Sequence, residues 1–176
     1  MLILGIDPGY AIVGYGVIES SCLKYRSLGY GAITTNAKDQ FLDRLETIYD
    51  QMIKIIEYFK PDVLSIEKLY FQNNQKTAIC VAQARGVILL AAKKCNIPVF
   101  EYTPLQIKSA VTGYGQAHKP QVMQMTKRLL KLEKMPKLDD TADALAIAIC
   151  HANACGSNLR INLINRKDKF IKGMQV

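Results

Sequence analysis

Residues 2–19 read LILGIDPGYAIVGYGVIE, and this stretch decides the fold. Leu2, Ile3, Leu4 and Ile6 form a short continuous apolar run, which predicts a buried strand. Asp7 ends the run, Pro8 and Gly9 turn the chain, and Gly14-Tyr15-Gly16-Val17-Ile18 predicts a partner strand running back. A carboxylate at the inner end of an apolar strand is costly unless something cationic or hydrogen-bonding meets it. Asp7 is either a turn aspartate satisfied by nearby backbone N–H groups or part of a site.

Working outward, Cys22 to Thr35 continues as a third strand, so the chain opens with an antiparallel meander. The period then changes: Phe41, Leu42, Leu45, Ile48, Tyr49, Met52, Ile55, Ile56 and Phe59 predict one long amphipathic helix that Lys60-Pro61 ends. Asp62 to Glu67 is the next strand, close enough behind the helix to cross back to the sheet, and it too ends in a carboxylate. Lys68 to Asn74 is a loop exposing aromatics. Lys76 to Cys95 is a helix so nearly apolar all round that cover is expected on more than one side, from the sheet or a second subunit. Ile97 to Glu101 makes a short last strand. Pro104 starts a short helix to Val111, a Gly113–Pro120 loop leads to a helix from Pro120, and Ala144 to Ala154 is a core helix with Asp139 as a natural N-cap. The expected class is α/β, a mixed five-stranded sheet, meander first and parallel strands after, flanked by helices.

The formal charge of +8 favours phosphate polyanions, which bind basic surfaces with counterion release. The Arg160–Val176 end carries +4 of it and is expected to be frayed or extended, which divides the chain into a domain at 1–157 and a basic extension at 158–176. No apolar run nears the roughly 20 residues that span a bilayer, and no signal peptide is evident, so a cytoplasmic protein without a membrane partner is expected. Five cysteines without a CxxC pair read as reduced thiols, and Cys150-His151 with Cys155 reads as packing rather than as a metal site.

Asp140 and Asp143 stand at i and i+3, on one helical face about a turn apart. Capping and the helix dipole account for acids there, Asp139 included. If they converge with Asp7 and Glu67, however, the four make an oxygen-only pocket suited to hard divalent cations, Mg²⁺ or Mn²⁺. Two such ions can activate water and stabilise the leaving oxygen at a scissile phosphate. A negative pocket in a positive protein is what metal-dependent cleavage of nucleic acid requires.

GIDPGYAIVGYGVI, AQARGV, the Glu67 strand with its aromatic loop, and DTADALAIAI together resemble the bacterial RuvC family of Holliday-junction resolvases, over roughly Leu2 to Ala152. The resemblance implies a ribonuclease-H-like fold. It also implies a homodimer that resolves four-way DNA junctions by symmetric nicking of two like-polarity strands in recombination and repair, with one or two Mg²⁺ ions per subunit and 5′-phosphate ends. Coupling to a branch-migration complex of RuvA and RuvB type goes with it. Asp7, Glu67, Asp140 and Asp143 match the family's acidic catalytic and metal-binding positions. Asp143 is aspartate where some relatives have histidine, and Asp139 is extra. Lys108 and Lys119 match basic residues near the active site, Tyr70 matches an aromatic that stacks on a base, and Arg85 is read as a backbone contact; His118 has no assignment.

Three rival readings arise, of which the last two stay open. The glycine-rich hairpin also resembles the phosphate loop of actin-like ATPases, but 176 residues leave no second domain to close on nucleotide, so none is expected. Another ribonuclease-H-like nuclease acting on RNA/DNA hybrids, or a non-catalytic junction-binding protein with structural acids, would share most of these features.

Overall fold

Asp7 closes β1 (Leu2–Asp7), and β2 (Ile12–Ser21) runs back beside it in the predicted hairpin, pairing Leu2 with Glu19 and Asp7 with Gly14. β3 (Lys24–Thr34) completes the meander. In this computed structural model residues 1–21, 24–69 and 75–173 are described, side chains excepted at 75–77 and 157–173. The ends of the third-strand expectation at Cys22, and Tyr70 and Phe71 of the aromatic loop, lie outside them.

Helix α1 (Phe41–Phe59) ends as predicted, on Lys60 in the left-handed conformation at φ 49° followed by Pro61. Its buried stripe differs in one respect. Leu42 is 72% exposed, whereas Arg44 is buried with its guanidinium 3.6 Å over the Tyr10 ring and its Nε donating to Thr35 Oγ1 at 2.9 Å. A stacked, hydrogen-bonded arginine thus joins Ile48, Met52 and Ile56 in the buried stripe.

The chain then crosses to β4 (Val63–Glu67), parallel to β1, continues through α2 (Gln75–Lys94), and adds β5 (Val99–Tyr102), parallel to β4. The sheet order is β3-β2-β1-β4-β5, the mixed five-stranded α/β arrangement expected. α3 (Pro104–Thr112) opens with a Thr103–Gln106 capping box and closes on Gly113 at φ 79°; α4 spans Lys119–Leu130. His118 is the N-cap of α4, and its N–H donates to Gln121 Oε1 at 2.8 Å.

α5 (Asp139–Gly173) corrects two expectations. Asp139 lies inside its first turn rather than capping it. The basic end is not frayed or extended, for the helix runs without a break to Gly173. From Ser157 on there is no proline, and a lone glycine such as Gly156 costs a helix only about 1 kcal/mol.

Side chains alternate across a strand, so each strand divides its residues between two cores. Leu4, Ile6, Val13, Val17, Leu64 and Ile66 face α1 and α2 with Ile48, Met52 and Ile88. Ile3, Ile18 and Val63 face α3, α4 and α5 with Ile107, Leu145 and Ile149. By the same alternation Gly5 and Asp7, Gly14 and Gly16, and Ser65 and Glu67 point toward α5.

That face explains the glycines. A Cβ on Gly5 would lie 2.1 Å from the carbonyl oxygen of Ala144, and one on Gly14 would lie 2.0 Å from that of Asp140. The N-terminal half of α5 therefore lies backbone to backbone on the hairpin, with Thr141 Oγ1 donating to Gly31 O at 3.1 Å. Residues 141–152 of α5 are almost all buried, as their alanines and isoleucines predict.

Candidate active site

Three elements bring the acids together. Ile6 pairs with Ile66 in parallel register, so Asp7 and Glu67, one residue further on, end adjacent strands on the α5 side. The glycine contact lays the first turn of α5 beside Asp7, and Asp140 and Asp143 follow. The charges of Asp143, Glu67 and Asp140 all act on Asp7.

The electrostatic consequence is largest at the centre. Burial first, and then the charges of Asp143, Glu67 and Asp140, push the Asp7 carboxyl up to about 8, against the opposing pull of Lys119. Burial raises Glu67 as well, with Asp143 adding to it and Lys108 and Lys119 opposing. Asp143 is raised by burial and by Asp139 and Asp140, and held back by Lys119.

Lys119, in the first turn of α4, places its Nζ 3.0 Å from Asp143 Oδ2 and 3.3 Å from Asp139 Oδ2. Burial would lower its pKa, but the hydrogen bonds and charges of Asp143 and Asp139 outweigh this and raise it. Asp139, the extra acid of the motif, is thus an anchor for the lysine. Lys108, Lys119, Glu67 and Asp143 line one cleft of about 240 Å³ with Ile107 and Ile147 as its apolar wall.

The donor set fits a hard divalent cation, being all oxygen and mutually repelling, with burial and the neighbouring carboxylates keeping a proton on Asp7 at neutral pH. Among the described residues no three of the acids already stand in ligating positions, and Lys119 supplies the cation at Asp143. Asp7, Glu67, Asp140 and Asp143 are the residues that would hold the metal.

Arg85 departs from the expected role. It reaches inward from α2, pairing with Glu101 and donating from Nε to the Glu67 carbonyl at 3.4 Å; its side chain is 16% exposed. That guanidinium makes its contacts within the chain, to β5 and to the end of β4. His151 is buried, its Nδ1 2.7 Å from Tyr102 Oη and its Nε2 3.3 Å from Cys155 Sγ. Sequence reasoning missed the strand glycines, the Asp139 anchor and the Arg44 stack. The first had a signal, since the hairpin register puts Gly5, Gly14 and Gly16 on one face opposite an alanine-rich helix.

The family model described as crossover junction endodeoxyribonuclease RuvC matches residues 3–151. A protein of that name from Halothermothrix orenii is 56% identical over 154 residues, covering 88% of this chain and 93% of its own. One from Clostridioides difficile is 50% identical over 171 residues, covering 97% and 100%. Among solved structures, T. thermophilus RuvC in complex with Holliday junction substrate superposes with a TM-score of 0.86 at 33% identity, covering 90% of this chain and 96% of that one. The ribonuclease-H-like fold is common to both.

Proposed function

The chain belongs to the RuvC family of crossover junction endodeoxyribonucleases, and from that premise we propose that it resolves four-way DNA junctions by Mg²⁺-dependent hydrolysis, cutting two like-polarity strands symmetrically. What supports this is that Asp7 and Glu67 end adjacent strands beside the first turn of α5, which brings in Asp140 and Asp143, while Lys108 and Lys119 share a cleft with Glu67 and Asp143. Mg²⁺, or Mn²⁺ in its place, held by these four would polarise the scissile phosphate and generate the attacking nucleophile from water, with one or two ions per subunit. Asp7 would be a ligand only in its deprotonated form. Lys108 and Lys119 draw the DNA phosphates to the cleft and offset charge that builds during displacement. Lys119 leaves Asp143 to do so, while Asp139 keeps it at the rim. Nicks with 5′-phosphate and 3′-hydroxyl ends suit religation.

A homodimer accounts for symmetry of cutting, and α2 supports one: Ile79 is 60% exposed and Leu90 51%, on the outer side of a helix expected to be covered there too. Tyr70 is proposed to stack on an opened base, worth about 1–3 kcal/mol. Residues 1–157 would form the nuclease domain and 158–176 a basic extension, helical as far as Gly173. Among the described residues no helix is long and apolar enough to cross a membrane, which fits work in the cytoplasm, alongside a RuvA and RuvB type branch-migration complex.

The direct test is a labelled synthetic four-way junction with a mobile core in Mg²⁺, beside linear duplex and an RNA/DNA hybrid. Paired symmetric nicks in the junction alone are expected. Cutting of the hybrid instead would keep the carboxylate site and overturn the substrate.

Metal uptake should also release a proton. Asp7 carries one below about pH 8 in the metal-free protein and must lose it to become a ligand. Affinity for Mn²⁺ is therefore expected to climb with pH and level off above about 8. Titration calorimetry at pH 7 in buffers of different ionisation heat should count close to one proton per site; a count of zero would refute it.

A further inference from the structure

AQARGV contributes to the family resemblance, yet its arginine has no place in the chemistry above. Arg85 stands on the α2 side of the sheet, opposite the carboxylate cleft. There its planar fork ties two adjacent strand ends together, pairing with the Glu101 carboxylate on β5 and donating to the Glu67 carbonyl on β4. Glu67 and Tyr102 are register partners, and Lys68 N–H donates to Tyr102 O at 2.8 Å just where the parallel ladder stops. Glu101 faces Arg85 because it alternates with Tyr102, whose hydroxyl meets His151 on the other face. The Glu67 carboxyl points to the α5 side of the sheet, where the charges of Asp143, Lys108 and Lys119 act on it. The arginine grips the peptide unit of Glu67 and leaves its carboxylate alone.

We propose that Arg85 is a positioning residue: by holding the last peptide of β4 it aims Glu67 across the sheet at Asp7 and Asp143, and it does not contact DNA. The proposal rests on the junction-nuclease function. Only an arginine does this, because five donors in a rigid fork reach a carboxylate and a carbonyl at once, whereas a lysine ammonium offers a single point. Misplacing a catalytic group by about 1 Å can cost on the order of 10²-fold in rate.

Arg85→Lys separates this role from a phosphate contact, because it keeps the positive charge and the pairing to Glu101 but loses the tether to Glu67. Single-turnover cleavage at saturating protein is expected to slow by roughly 10- to 100-fold. Junction Kd and the slope of log K against log salt should stay at wild-type values. Glu101→Gln, which spares the carbonyl bond, should slow cleavage less than Arg85→Met. Wild-type cleavage by Arg85→Lys would overturn the proposal, as would a slope shallower by about 0.9 in Arg85→Met, the mark of one lost phosphate contact. Should Arg85→Met fail to fold, Arg85→Lys decides alone. Cutting by the unaltered protein in the same assay tests the nuclease function separately.

Discussion

Asp7→Asn is expected to slow junction cleavage by at least on the order of 10²- to 10³-fold, the usual cost of removing one group that stabilises charge at the reaction centre. Junction binding in chelator at neutral pH should be as tight as before, because the protonated Asp7 carries no charge for asparagine to remove. The same variant should be the more stable protein when metal is absent. The folded carboxyl sits near 8 against an ordinary 3.8, so between those values the native state keeps a proton that the unfolded chain releases. Stability of the metal-free wild type thus falls as pH rises from about 4 to about 8, and asparagine, with no proton to lose, escapes the fall. Melting curves in chelator at pH 5 and pH 9 should show the variant's advantage growing with pH. An advantage that shrinks with pH, or cleavage at the wild-type rate, would mean that Asp7 is the turn aspartate of the simpler reading.

Gly14→Ala is expected to do comparable damage without touching a charged group. The new Cβ would lie 2.0 Å from the Asp140 carbonyl oxygen and 2.4 Å from its carbon, and no rotamer can relieve a clash between backbone atoms. The first turn of α5 has to lift, taking Asp140 and Asp143 away from Asp7 and Glu67. Overpacking of this kind costs roughly 1–3 kcal/mol, and the lost alignment should slow cleavage by about 10²-fold. Rates under saturating protein, read beside the melting temperature, check both. A variant that cuts normally would show that α5 is free to slide on the hairpin.

Local pattern carried most of what could be foreseen. The β1–β2 hairpin, the limits of α1 with its Lys60-Pro61 stop, the crossover to β4 and the pairing of Asp140 with Asp143 all follow from neighbours within a few residues. What escaped depends on partners far away in the chain. Gly14 reads as hairpin punctuation until Asp140 is laid on it, and Arg85 reads as a surface cation until Glu101 and the Glu67 carbonyl surround it. Arg44 joins the buried stripe because Tyr10, just before β2, and Thr35, just after β3, give its charge a home. The extension of α5 past Ala154 was hidden by a charge run that resembles a solvated tail.

The two faces of the sheet will answer differently to sequence change. Toward α1 and α2, Leu4, Ile6, Val17, Leu64 and Ile66 meet other side chains, and a change of shape can be absorbed by rotamers and neighbouring methyl groups. Toward α5, Gly5 and Gly14 meet main-chain oxygen, and Gly5 would also press on Ala148. Nothing there can yield except the helix as a whole. Sequence change is thus expected to be absorbed where side chain meets side chain and to be held back at Gly5 and Gly14, the two positions that set the seat of α5 beside Asp7.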